Sequence, residues 1–161
     1  MQTFAIAKAS RRTSACLMAS EDMAADLGAE RGPDGAELAY CRQRFLVECV
    51  AADVVAVDCP YTFSDTEGVA RDTRWARRLG YVAKSLVDPA HARVVNGVLS
   101  PGVDEVERAK RLVAAFDAAR AAGQGRVELD GALVEMPAYQ TAKRLLARHE
   151  AMQAFERGGT I

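Results

Sequence analysis

Three short apolar runs, each followed at once by a helix start, constrain this chain more than any other feature. "ACLMA" at 15–19, "DVVAVDC" at 53–59 and "YVAKSLV" at 81–87 read as strands and alternate with longer amphipathic stretches, the pattern of β/α units on a parallel sheet. Ser20 stands where it can cap a helix over 21–27 that stops at Gly28. Asp34 and Glu37 have capping-box spacing ahead of "AELAYCRQRFLVECVAA", and Ser64 and Glu67 repeat it before "TEGVARDTRWARRLG", which Gly80 closes. The opening "MQTFAIAKASRR" reads as a helix tail carrying Phe4, Ile6 and Lys8. Further on, Val106, Ala109, Val113 and Phe116 share one face of a helical segment that runs to Gly123. The stretch "RVELDGALVEM" fits a turn and a two-strand ribbon. It leads to Pro137, well placed in the first turn of a last helix, "AYQTAKRLLARHEAMQAF", and the tail "ERGGTI" is expected to fray.

Three parallel strands leave two backbone edges open, and open edges recruit neighbours. The expectation is a homo-oligomer or a companion chain that supplies further strands. At 161 residues, half of them apolar, with a net charge of −1 and a pI near 6.1, the chain is long enough to bury a core of its own. Balanced charge gives no footprint for nucleic acid, and the apolar runs fall short of the roughly 20 residues a membrane helix needs. The first residues lack the apolar stretch and cleavage site of a secretory signal, so a cytoplasmic protein is expected. Cys16, Cys41, Cys49 and Cys59 form no C-x-x-C pair, which argues for reduced, mostly buried thiols rather than a zinc knuckle.

Several side chains invite a chemical role, and the residues alone leave each open. Glu21 and Asp22 open a helix directly after the first strand, where acids ordinarily serve to complement the positive end of the macrodipole; holding a cation is the other role open to them. Asp58 ends the second strand, where an Asp either lines a site or bonds loop amides. Arg71, Arg74, Arg77 and Arg78 read as a solvated face with a low claim on phosphate binding. His91 reads as a helix-surface residue rather than a ligand, and His149 sits in a polar helix.

The collinear series "IAKAS", "SEDMAADLGAERGPDGAEL", "VDCPYTFSDTEG", "RRLGYVAKSLVDPAHARVVNGVLSP" and "VELDGALVEMPAYQTAKRLLAR" resembles the C-terminal part of the citrate lyase β subunit and malyl-CoA lyase group of the HpcH/HpaI aldolase superfamily. The resemblance implies an α/β fold, the C-terminal portion of a TIM (β/α)8 barrel. Residues 1–102 would supply a partial barrel with strands like its sixth to eighth, and 103–161 a helical C-terminal extension with a short β ribbon. The first five strands have no counterpart, and a complete barrel takes about 250 residues.

The resemblance also implies a Mg2+-dependent carbon–carbon lyase acting on an acyl-CoA thioester or a keto acid. Asp22 falls on the family's Mg2+ ligand at a strand's carboxyl end, where barrel enzymes keep their chemistry. Glu21 would then be a supporting neighbour, and Ala19 stands where the family has glycine. Glu135, in "DGALVEMP", matches an acid that family members deliver to an adjacent subunit's site, with one methylene more. Asp58 would line the site, and Lys84 would contribute to cofactor binding. Asp88 and His91 replace the His and Gln of the family's "GKxCIHPxQ". A second metal carboxylate and a substrate-binding arginine are implied to come from elsewhere. The alternative is a non-catalytic α/β module whose edges pair in an oligomer, since function belongs to a site and not to a fold.

Overall fold

The computed structural model describes residues 2–158. By backbone contacts the chain divides into two compact units, Met1–Leu99 and Ser100–Ile161.

The first unit is a three-stranded parallel sheet with helices. Its strands are β1 (Ala15–Leu17), β2 (Val55–Asp58) and β3 (Ala83–Lys84), in that spatial order. Helix α1 (Thr3–Lys8) precedes β1; α2 (Ser20–Leu27) and α3 (Ala39–Ala51) join β1 to β2; α4 (Thr66–Leu79) joins β2 to β3; and α5 (Ala92–Leu99) follows. Every predicted strand is present, and each is shorter than the apolar run that announced it, for local reasons. Asp53 turns with φ of 57° and the Val54 N–H bonds back to the Cys49 carbonyl, so β2 cannot begin before Val55. The Tyr81 N–H is taken by the Ala76 carbonyl in the cap of α4, which delays β3. Beyond Ser85, Asp88 accepts from the Ala90 N–H and starts a short 3-10 turn, Pro89–His91.

The two sheet faces differ. Pleat alternation puts Cys16, Ala56 and Asp58 on one face, under a core of Leu38, Phe45, Leu46, Cys49, Ala76 and Tyr81 drawn largely from α3 and α4. The opposite face is open, with Leu17 55% and Val55 44% exposed. Among the described residues β1 and β3 each pair on one side only.

Several helix starts use other groups than the sequence suggests. The residue before α2 is Ala19, Ser20 is already helical, and its buried hydroxyl has no hydrogen-bond partner among the described residues. Asp65, not Ser64, caps α4, with its carboxylate accepting the Gly68 N–H and the Tyr61 hydroxyl. A Cβ at Gly68 would collide with that hydroxyl. Asp34 accepts the Ala36 N–H, but a 3-10 turn, Ala36–Leu38, intervenes before α3. Glu48 of α3 accepts the Phe4 N–H, one of the donors a helix leaves unpaired at its start, and so ties α1 to α3. His91 is buried, 3% exposed, with Nε2 against the Ser64 carbonyl, so it is no surface residue. The four cysteines are free thiols, Cys49 and Cys59 buried and Cys16 and Cys41 half-buried.

The second unit packs α6 (Val103–Ala121) and α7 (Met136–Gly158) with a ribbon of β4 (Val127–Leu129) and β5 (Ala132–Val134). Asp130 and Gly131 both take positive φ, 52° and 74°, the two-residue turn whose twist matches an antiparallel ribbon. Phe116 and Tyr139 stack with centroids 4.7 Å apart, and the Tyr139 hydroxyl donates to Asp117. Helix α7 continues through Glu156, Arg157 and Gly158, past the predicted start of the frayed tail; 159–161 lie outside the described residues. No helix among the described residues is long and apolar enough to cross a membrane.

Candidate functional site

Parallel strands bring their carboxyl ends to one side of the sheet, and most of the predicted site residues of the first unit gather there. Glu21 and Asp22 occupy the first turn of α2 directly after β1. The carboxylate of Glu21 accepts from the Arg31 guanidinium at 3.1 Å and from the Thr62 hydroxyl at 3.2 Å, so it links the turns after β1 and β2. Arg31 is held in turn by Glu37, the residue read as half of a capping box. Asp22 is exposed and pairs with no cation among the described residues. It lines a cleft of about 480 Å³ beside β1, together with Ile6, Cys16, Met18, Met23 and Phe45.

Asp58 and Lys84 belong to a different structure. The Asp58 carboxylate receives Arg42 Nε at 3.0 Å and Nη2 at 2.7 Å, a two-pronged ion pair, and Lys84 Nζ at 2.8 Å. Asp72 of α4 receives Arg42 Nη1 at 2.7 Å, and Lys84 Nζ also reaches Asp72 and, at 2.6 Å, the Cys59 carbonyl. Two cations thus meet two anions with the side chains of Asp58 and Lys84 fully buried and that of Arg42 3% exposed. Arg42 also lies over the Trp75 ring, 4.3 Å from its centroid. Burial would lower the Arg42 pKa, but the hydrogen bond and charge of Asp58 outweigh it and hold the guanidinium more firmly protonated than usual. Burial likewise opposes the Asp72 carboxylate, and Lys84 with Arg42 overcomes this, leaving its pKa below the ordinary value. All three donors of the Lys84 ammonium have a protein acceptor, and Asp58 faces helices. The sequence reading set both at an accessible site; the structure puts both inside.

Glu135 lies in the second unit, exposed, immediately before α7, where its carbonyl accepts the N–H groups of Ala138 and Tyr139. Arg71, Arg74 and Arg78 are exposed along α4, as a solvated face requires, while Arg77 is half-buried.

Sequence reasoning did not single out Arg42, Asp72, Arg31 or Thr62. Arg42 carried a signal: it falls between Leu38, Phe45, Leu46 and Cys49 on the apolar stripe of α3, and a charged residue on a core face is buried only with a partner.

A hard oxygen ligand such as Asp22 suits Mg2+ in kind, since that ion takes one or two carboxylates and completes its shell with water and substrate oxygens. The number falls short. Among the described residues no three His, Cys, Asp or Glu side chains come together to hold a metal ion, so these residues do not form a metal site by themselves.

A parallel sheet with an acidic turn at its carboxyl end is the arrangement that the sequence resemblance implies, and the comparisons agree. The chain belongs to the HpcH/HpaI aldolase/citrate lyase family, whose sequence model matches residues 1–89. It is 34% identical over 142 residues to the citrate lyase subunit beta of Leuconostoc mesenteroides subsp. cremoris, covering 88% of this chain and 47% of that protein. It is 35% identical over 145 residues to the (3S)-malyl-CoA thioesterase of Cereibacter sphaeroides, covering 89% and 51%. The crystal structure of the protein CitE from Mycobacterium tuberculosis, in complex with magnesium, acetoacetate and coenzyme A, superimposes with a TM-score of 0.75 at 26% identity, over 92% of this chain and 56% of that one. The chain therefore spans about half the length of the relatives it matches, and its fold is part of a TIM-barrel type.

Proposed function

We propose that the chain is the C-terminal part of a Mg2+-dependent carbon–carbon lyase of the citrate lyase β or (citra)malyl-CoA lyase type, acting on an acyl-CoA thioester or a keto acid. The observation that carries this reading is Asp22: an exposed carboxylate without a partner among the described residues, at the carboxyl end of a parallel strand, beside a cleft.

In this reading Asp22 is one ligand of a shared site, and the remaining ligands and a substrate-binding arginine come from strands outside these residues. Glu21, gripped by Arg31 and Thr62, fixes the turn that aims Asp22. Glu135 is the general acid or base delivered to a neighbouring subunit's site, a role that requires it within hydrogen-bonding reach of the reacting carbon's proton. Asp58 and Lys84 contribute by position, tying the carboxyl ends of β2 and β3 to α3 and α4. The open face and edges of the sheet support a partner that completes the barrel, a companion segment or a further copy.

A second reading, a non-catalytic module that assembles through its edges, is favoured by the incomplete ligand set. Complementation separates the two. The chain is co-expressed with the strands it lacks, taken from a related citrate lyase β subunit, and the complex is assayed for cleavage of malyl-CoA and citramalyl-CoA with Mg2+. Turnover by the complex, absent from the chain alone, lost in Asp22→Asn and lowered about 10^2- to 10^4-fold in Glu135→Gln, is the expected result. A well-formed complex that binds CoA thioesters but never turns over would overturn the lyase reading.

A further inference from the structure

Cys16 and Cys49 are thirty-three residues apart in sequence and adjacent in the core. Pleat alternation turns Cys16, between the exposed Ala15 and Leu17, toward α3. Cys49 lies in the last turns of α3, in the buried cluster against which Cys16 packs, and Cys16 is close enough to act on its thiol. The other cysteines are poorly placed to compete. Cys41 is eight residues back along α3, about 12 Å at the helical rise of 1.5 Å per residue. Cys59 lies three positions beyond Ala56, the register partner of Cys16, about 10 Å further along the strand direction. The pair also has access on one side only: Cys16 lines the 480 Å³ cleft beside β1, whereas Cys49 is wholly buried.

From this arrangement we propose that Cys16 and Cys49 form a two-thiol oxidation site, closed to an intrachain disulfide by a peroxide that enters through the cleft. The peroxide transfers one oxygen to the Cys16 sulfur, its O–O bond breaks and water leaves, giving a sulfenic acid. The Cys49 sulfur then attacks the Cys16 sulfur, the S–O bond breaks, and a second water departs with the Cys49 proton. In total two thiols lose two electrons and two protons to one peroxide, which becomes two waters. The second step is the slow one. Burial, reinforced by Cys16, pushes the Cys49 thiol up to about 12, so its thiolate, the attacking form, is scarce at neutral pH and grows tenfold with each pH unit below that value. The product would staple β1 to α3 beside the turn that carries Asp22.

The test treats the native chain with hydrogen peroxide at pH 7, 8 and 9, then unfolds it in denaturant containing an alkylating agent to block remaining thiols, and maps peptides by mass. The expected result is a single cross-linked pair containing Cys16 and Cys49, two hydrogens lighter than the separate peptides, with Cys41 and Cys59 alkylated. When oxidation of Cys16 is first allowed to reach the sulfenic acid, closure should speed up close to tenfold per pH unit. Cys16→Ser should abolish the cross-link, and mapping of the unmodified sequence decides the matter should Cys49→Ala fold poorly. Accumulation of Cys16 as sulfinic acid, two oxygens heavier, with Cys49 still a free thiol that is alkylated on unfolding would overturn the proposal. A cross-link through Cys41 or Cys59 would overturn it equally.

Discussion

Asp58 and Asp22 follow or end neighbouring parallel strands, on the same side of the same sheet, and their surroundings are opposite. Asp58 is sealed under helices, each of its oxygens satisfied by Arg42 or Lys84. Asp22 is exposed, with no cation paired to it among the described residues. The difference teaches what a carboxylate at a strand end is for. A charge withdrawn from water must be matched by its own protein, and once matched it serves geometry; a charge left unmatched in solvent beside a cleft is available to something outside the chain. The cost of removing each group should follow that division.

The largest effect is expected on the covered side. Arg42→Met keeps the apolar stem of the side chain but leaves Asp58 and Asp72 with only Lys84 between them. Removing one partner of a buried ion pair typically costs about 3–5 kcal/mol, and urea unfolding of the variant should show the loss as a lower midpoint with an unchanged slope. A stability equal to that of the parent would mean that the network contributes nothing net.

Asp72→Asn sharpens the comparison through pH. The native pKa of Asp72 lies below its unfolded value of 3.8, so its contribution is fully present above about pH 4 and fades as pH falls through the lower native value. The variant should be less stable by about 1–3 kcal/mol at pH 7 and should lose less of its remaining stability on acidification. Parallel acid limbs for the two proteins would contradict the assignment.

Asp22→Asn stands at the small end. With no partner to orphan, its unfolding midpoint should match that of the parent chain, while whatever Mg2+ affinity calorimetry detects should fall. A marked loss of stability would show that Asp22 belongs to the fold after all.

Much of the architecture was legible in the sequence because it rests on local chemistry. Apolar runs announced the three strands, Gly28 and Gly80 ended their helices as expected, and the ribbon near Asp130 formed where it was read. Boundaries and caps were less legible, because neighbours compete for the same backbone groups. Asp65 outcompetes Ser64 since its carboxylate can serve both Gly68 and Tyr61, and the left-handed turn at Asp53 removes two residues from β2. For the candidate site, the placement of Asp22 followed from the strand that precedes it. The burial of Asp58 and Lys84 did not, because their partners are brought in by packing: Arg42 lies 16 residues from Asp58 and 30 from Asp72. His91 was misjudged for the same reason, as nothing in its own turn reveals that Ser64 and Tyr61 close over it.

The register of the sheet has a further consequence for how the chain reaches this state. Ala15 pairs with Val55, forty positions later, and Val57 with Ala83, whereas Val127 and Val134 meet across a turn of two residues. Closing a long loop costs entropy before any contact repays it, and such non-local pairing slows folding. During synthesis two helices and a second strand must be made after β1 before β2 can pair with it. In that interval Cys16, which the folded chain turns toward α3, has nothing to pack against, so the sheet of the first unit should close later than the ribbon of the second.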